Sequence, residues 1–419
     1  MSHIVSLGRT LYKCSLYVLV STGLVVCLLS PWRRRKPLGL TKLPDDLAVL
    51  IPCAPGNVTG SSRAVYELIA MFQAETRTHV IEMEKVTPSL GPLRRMIANI
   101  AAKVFPIPLP VAQACVKSKQ LREAAGTADA VVIEFLLSAF FLVARRPLSR
   151  PTVLRDHEVL VRRAWLDLKA ARGLQRIESL LQLCALWLLT LHCYRQVDRI
   201  VALTPEDAAF AKRILPWYSD RITSVPISFE PHGAGSTDGA GESGAQNHVV
   251  LAANFWHRPN VEGLLWFLSE CAPHLQNEIV LHLVGLADPL TDVRASYDKV
   301  RIERHGHVET WAPPLTQCNI AVSPIISGTG VRVKNLFLST LSMAVVTTSL
   351  GNEGIGLQDG AEIMVRDNPQ GFASAIDALV TDQAFAVRMG RAAKARIHAD
   401  FSRERTLDRW RAAVFSTAP

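Results

Sequence analysis

The chain has 419 residues, 49% of them hydrophobic and only 20% charged. This composition excludes a disordered or fibrous protein and supplies apolar material for two large cores. A net charge of +9 fits a nucleic acid, an anionic membrane or an acidic small molecule, so the placement of the basic residues decides among them.

The first specific segment runs from Cys14 to Trp32 without a charged residue. As a helix it would be about 28 Å long, close to the hydrocarbon thickness of a bilayer. Lys13 precedes it, and Arg33, Arg34, Arg35 and Lys36 follow. A cleavable signal would need small residues at a cleavage site, which are missing, so an anchor is the favoured reading and an interfacial helix the other. The basic cluster after the segment places the remainder in the cytoplasm. Residues 1–45 are therefore expected to form a single-pass N-terminal transmembrane helix with a basic juxtamembrane segment.

An α/β unit is expected over 46–230. It opens on Leu47–Pro52, a continuous apolar run suited to a strand buried on both faces. A polar loop, Gly56–Ser62, leads into a helical pattern from Arg63 to Glu75, with Val65, Leu68, Ile69 and Phe72 on one face. His79–Glu82 reads as the next strand. Ser89–Arg122 then mixes Arg94, Arg95, Lys103, Lys117, Lys119 and Arg122 with aliphatic residues and contains no acid. A helix on an anionic membrane surface and a core helix with a solvated basic face fit that pattern equally. Ala130–Glu134, Thr152–Arg155 and Arg199–Leu203 continue the strands. Thr204-Pro205-Glu206-Asp207 has the form of an N-cap with proline at the first helical position. Leu180–Leu191 is apolar but too short to span a bilayer, and is expected as a buried core helix.

Gly233–Gln246 is rich in Gly, Ser and Ala, which marks 231–247 as a linker. The alternation resumes over 248–419, with strands at Val249–Ala253, Val280–Gly285, Ile320–Pro324 and Ala344–Thr348 and a helix from Val261. Such alternation argues for two doubly wound, Rossmann-like parallel sheets facing a central cleft. The cysteines show no CxxC spacing, so zinc and redox motifs are not expected.

Ser323–Gly354 carries the chemistry. A strand ends at Ser323-Pro324, the small residues Ser327-Gly328-Thr329-Gly330 follow, and a helix begins near Val331. Amides at such a helix start bind anions, and glycines let a phosphate approach the backbone. Arg332 and Lys334 add charge suited to a diphosphate. A lone Gly-rich turn of this type is a weak signal.

The ordered series resembles the nucleotide-sugar glycosyltransferases of the GT-B fold, family 4 in particular. The matching elements are Ser-Pro and the Gly-rich loop, the Arg/Lys-bearing helix, Val345-Val346-Thr347-Thr348 and Gly351-Asn352-Glu353-Gly354. Asn254–Gly263, His305–Glu309, Arg155–Glu158 and Ala202–Asp207 extend the resemblance over most of the chain beyond Leu47. It implies donor-binding roles for Arg258, Gly328, Thr329, Gly330, Val331, Arg332 and Lys334, and an acceptor-side loop with Asn57, Thr59 and Gly60. His157 matches a histidine that approaches the transferred sugar, against an alternative as a loop or N-capping histidine. Glu353 resembles a loop glutamate near the donor, with a helix cap as the equal alternative. Where many members have two glutamates eight positions apart, this sequence has Thr329 and Phe337, and Ser342 and Ala344 replace a following Gly and Pro.

The resemblance implies a retaining, membrane-anchored glycosyltransferase. It would take a nucleotide sugar as substrate, with no cofactor and no metal, and a lipid-linked or glycan acceptor at an anionic membrane surface. The missing acids leave a catalytically silent GT-B scaffold or partner subunit as the alternative. A nucleotide-sugar epimerase on the same fold gives no reason for an anchor. Nucleic-acid binding is not expected, because the basic residues are interleaved with aliphatics and no aromatic stacking motif appears.

Overall fold

The computed structural model describes residues 42–51, 60–82, 123, 125–136, 138–139, 148–229, 247–285, 296–308 and 318–415. The expected anchor, the basic stretch 89–122, Asn57, Thr59 and positions 231–246 of the linker lie outside the described residues. The chain divides into two compact units, one reaching Ile227 and resuming at Leu407, the other spanning Ser228–Thr406.

The first unit holds six strands: β1 (Asp46–Ile51), β2 (Arg77–Glu82), β3 (Ala130–Glu134), β4 (Thr152–Asp156), β5 (Arg199–Ala202) and β6 (Ile222–Ser224). They pair in the order β2-β1-β3-β4-β5-β6, each parallel to its neighbours. The middle residues of β1, β3 and β4 are apolar on both faces because both faces are covered. One face sends Ala48, Leu50, Val131, Ile133 and Leu154 against helices α2 (Leu160–Ala170) and α3 (Leu174–Tyr194). The other sends Leu47, Val49, Ile51, Val132 and Val153 against α1 (Gly60–Gln73), whose Val65, Leu68, Ile69 and Phe72 are all buried. α4 (Pro205–Ile214) begins as its sequence dictates, with Thr204 Oγ1 accepting from the Asp207 amide at 3.0 Å.

α3 departs from expectation. It runs 21 residues, so among the described residues it is long and apolar enough to cross a membrane. Only its second half, from Ala185, is buried in the unit, while Leu174, Ile177 and Leu180 are exposed. The apolar run of 180–191 extends N-terminally through residues of good helix propensity, which carry the helix out past the core.

The second unit contains β7 (His248–Ala252), β8 (Ile279–Val284), β9 (Ser296–Tyr297), β10 (Val300–Gly306), β11 (Ile320–Ser323), β12 (Ala344–Thr347) and β13 (Met364–Val365). Their order is β13-β12-β11-β7-β8-β10-β9, parallel except for the two-residue edge strand β9. The first strand, β7, thus sits between β11 and β8, and the strand order reverses there. Helices α5 (Arg258–Trp266), α6 (Val333–Thr340), α7 (Ser349–Asn352), α8 (Pro369–Thr381) and α9 (Gln383–Asp400) complete the unit. Gly263 of α5 lies so close to the end of β11 that a Cβ there would come within 1.8 Å of the Pro324 carbonyl oxygen. Helix and strand therefore pack at backbone contact beside the switch in strand order.

The C-terminal helix α10 (Arg403–Ala413) was expected with the second unit. Instead, residues from Leu407 onward belong to the first. Leu407, Trp410, Val414 and Phe415 are buried against α1 and the β1 face, with the Trp410 ring edge-on to Phe72 at 5.3 Å. The physical reason is the fully buried indole, the largest apolar group on an otherwise charged helix.

Candidate functional site

In the second unit, β11 sits at the switch in strand order, where ligands of open α/β sheets bind beyond the strand ends. The chain leaves β11 through Pro324 and reaches α6 at Val333, two residues later than the sequence suggested. Gly328 and Gly330 have φ of 101° and 83°, a left-handed backbone that L side chains rarely adopt. The start of α6 has no side-chain cap, and its Val333 and Asn335 amides donate within the chain, to the Val331 carbonyl at 3.1 Å and the Arg332 carbonyl at 2.8 Å. Arg332 folds back over the loop. Its Nη1 donates to the Thr329 carbonyl at 2.9 Å and lies 3.3 Å from where a Gly328 Cβ would be.

Lys334 follows on the first turn of α6, its Nζ donating to Asn260 Oδ1 at 3.0 Å. Burial, and then the charge of Arg332, push its pKa down to about 7. Two cationic side chains thus converge beside a glycine-rich turn, which is an arrangement a diphosphate neutralises. Ser327 Oγ donates to Glu262 Oε2 at 2.9 Å, which ties the loop to α5.

Other expected donor residues are placed differently. Arg258 pairs with Glu262 at 2.6 Å on its own helix, and its side chain is 88% exposed. Thr329 is buried and Val331 half-buried, while Phe337 is half-buried on α6. Glu353 is half-buried and takes the C-cap position of α7, where a carboxylate cannot satisfy helix carbonyls. The cap of α7 is at its other end, where Thr348 Oγ1 accepts from the Gly351 amide. Asn335 is fully buried. Its Nδ2 donates to the Gly351 carbonyl at 2.8 Å and so fastens α6 to the Gly-x-Glu-Gly turn.

In the first unit, His157 stands just past β4 and is buried, neither an exposed loop residue nor a helix cap, since α2 is preceded by Val159. Its Nε2 meets Glu134 Oε2, which also accepts from Arg155 Nη1 at 3.1 Å. Arg155 and Glu134 are register partners on β4 and β3, so the parallel pairing itself brings the two charges together. Burial works to raise the Glu134 pKa, but Arg155 and then His157 outweigh it and hold the carboxyl below its ordinary value. Burial lowers the His157 pKa more than Glu134 raises it. The stable state is a carboxylate beside a neutral imidazole that donates from Nε2, which leaves Nδ1 as the acceptor.

The His157 ring is covered by Phe135, stacked at 4.0 Å between centroids. Phe135 has φ of 69°, a strained conformation that costs on the order of 1–2 kcal/mol and is found most often at functional sites. Glu134, Phe135 and Arg155 were not singled out in the sequence as site residues. Their signal was the pair of strand ends Glu134-Phe135 and Arg155-Asp156-His157, legible only once β3 and β4 are known neighbours. Gly60 begins α1, and the other two residues of the acceptor-side loop are not described.

Residues 246–382 match the family described as "Glycosyl transferases group 1". A Klebsiella pneumoniae protein, described as an uncharacterized 44.6 kDa protein in the cps region, is 29% identical over 140 residues, 31% of this chain and 36% of its own. The chain thus spans about a third of the length of the curated relative it matches. Among solved structures, WaaG, described as a glycosyltransferase involved in lipopolysaccharide biosynthesis, superposes with a TM-score of 0.59 at 13% identity, covering 89% of this chain and 100% of WaaG. HepE from Anabaena, crystallised with UDP and glucose, gives 0.57 at 13% identity, again covering 89% and 100%. Residues 246–382 are therefore similar to the glycosyl transferases group 1 family, and the two parallel-sheet units of the chain share the fold of WaaG and HepE.

Proposed function

We propose that this protein is a glycosyltransferase that moves a sugar, with retention of configuration, from a nucleotide-sugar donor to a lipid-linked or surface-polysaccharide acceptor. The reaction takes place at the cytoplasmic face of a membrane. The observation that carries the reading is the turn of residues 324–332 with Arg332 and Lys334 beside it, inside the segment that matches the family. The leaving group is a nucleoside diphosphate, and amides with two cationic side chains stabilise charge as it develops there. Lys334, with a pKa near 7, takes up a proton as the diphosphate arrives. HepE was crystallised with UDP, and WaaG acts in lipopolysaccharide biosynthesis, which supports these donor and acceptor classes.

On the first unit, Glu134 and Phe135 hold the His157 ring, and His157 is assigned the catalytic role its resemblance implies. Glu353 takes a donor-sugar hydroxyl. Asn335 is fully buried, so it does not replace the missing ribose-binding carboxylate, and the ribose is held through backbone groups and apolar contact with Phe337. Anchoring is assigned to Cys14–Trp32 with the basic cluster that follows it, and deletion of 1–36 should shift much of the protein to the soluble fraction.

The test is calorimetric binding of nucleoside diphosphates, followed by hydrolysis of nucleotide sugars. Lys334→Met should weaken binding by at least about tenfold, the loss of one charge-assisted contact, without loss of fold. A wild-type protein that binds no nucleoside diphosphate and cleaves no nucleotide sugar would overturn the proposal in favour of a silent scaffold.

A further inference from the structure

Away from the Gly-rich loop, three histidines and a glutamate meet on one face of the second sheet. His248 begins β7, His282 lies within β8, and Glu303 and His305 sit two apart on β10, so the alternation of strand side chains gives them a common face. A register irregularity between Arg304 and Gly306 bends β10 at this point, as bulges do when they re-aim a side chain. His305 Nε2 comes to 2.9 Å from His282 Nδ1, and Glu303 Oε2 to 3.6 Å from the same nitrogen. One ligand atom from each of the three residues falls within 4.8 Å of the others.

We propose that His282, Glu303 and His305 form a site for a divalent transition-metal ion of the zinc class. The donor set, two imidazoles and one carboxylate, is the kind zinc accepts. In tetrahedral zinc the ligand nitrogens stand about 3.3 Å apart, so the pair opens by less than half an ångström to admit the ion. His282 is 1% exposed and anchors the floor, while Glu303 and His305 are half-buried and leave a side open for a water as fourth ligand.

The surroundings are those a metal ligand needs. His282 Nε2 contacts His248 Nδ1 at 2.8 Å, with the two rings inclined by only 26°. With the proton on Nε2 and donated to His248, His282 presents its Nδ1 lone pair to the ion. Arg301 Nη2 holds the other Glu303 oxygen at 2.7 Å, which leaves Oε2 turned to the histidines. An ion here ties β8 to β10 and to the outer edge of the sheet.

This inference does not depend on the glycosyltransferase reading, because its test uses zinc alone on the full chain. After dialysis against buffered zinc, wild-type protein should hold one equivalent more than His305→Gln. Glu303→Gln should weaken zinc binding at least about tenfold, and His248→Gln by about 10–100-fold as a supporting partner. Cobalt(II) should give a tetrahedral d–d absorption with wild type that His305→Gln lacks. If His305→Gln does not fold, Glu303→Gln and His248→Gln decide the matter. Equal zinc content and affinity in the wild type and the folded variants would overturn the site and leave only a chain of hydrogen-bonded imidazoles.

Discussion

Asp156 ends β4 nearly inaccessible to solvent, and its Oδ2 accepts from the Tyr194 hydroxyl at 2.9 Å. Burial raises its pKa to about 8, Tyr194 opposes the shift, and the charges of Asp207 and Glu158 add to it. The folded state therefore keeps a proton that the unfolded chain releases near pH 4, and stability falls as pH rises from about 4 to about 8. Asp156→Asn keeps an acceptor for Tyr194 and removes the titration. Its melting temperature should exceed that of wild type at pH 8, converge with it near pH 4, and show a flatter profile between. The neighbouring Glu134–Arg155 pair gives a second test. Glu134→Gln strands a buried guanidinium and should cost about 3–5 kcal/mol in urea unfolding. Combined with Arg155→Met it should cost less than the sum of the two single changes, because the partners share one interaction.

At the scale of elements, Ser342 shows how the chain copes with a lost glycine. It follows α6 and has φ of 60°, where the resembled family has a glycine. Its carbonyl oxygen would lie 1.8 Å from a Cβ at Gly390, so α9 packs directly on this strained turn. Ser342→Gly should raise stability by about 0.5–1 kcal/mol, measured by denaturant titration, through relief of left-handed strain partly offset by unfolded-chain entropy. The elements most legible in the sequence were those buried on both faces. β1, β3, β7, β8, β11 and β12 are nearly continuous apolar runs, and the Thr204 cap reads directly from its residues. β10 was missed because only Val300 and Ile302 of its seven residues are apolar, beside the two-residue edge strand β9. The Gly-rich turn could be read because glycine and cationic residues are contiguous there. The Glu134–His157 arrangement could not, since it exists only through the register of two strands that are not contiguous in the sequence.

At the scale of the molecule, the second unit is one continuous segment and the first is built from two. Trp410 is the keystone of the return: it is fully buried against Phe72 and Phe415. Trp410→Ala should cost about 3–5 kcal/mol. Hydrogen exchange should show the loss of protection in β1, α1 and β3, with β7, β8 and β11 unchanged. Equal loss in both units would show that they unfold as one.

The order of assembly during translation follows from that return. The apolar face of Leu47, Val65 and Phe72 leaves the ribosome early, yet the side chains that cover it, Leu407, Trp410 and Phe415, follow only after the entire second unit has been made. Synthesis at about 5–20 residues per second leaves that face open for tens of seconds, while the second unit already has all of its sequence. For that interval the nascent first unit presents the kind of apolar surface that chaperones shield.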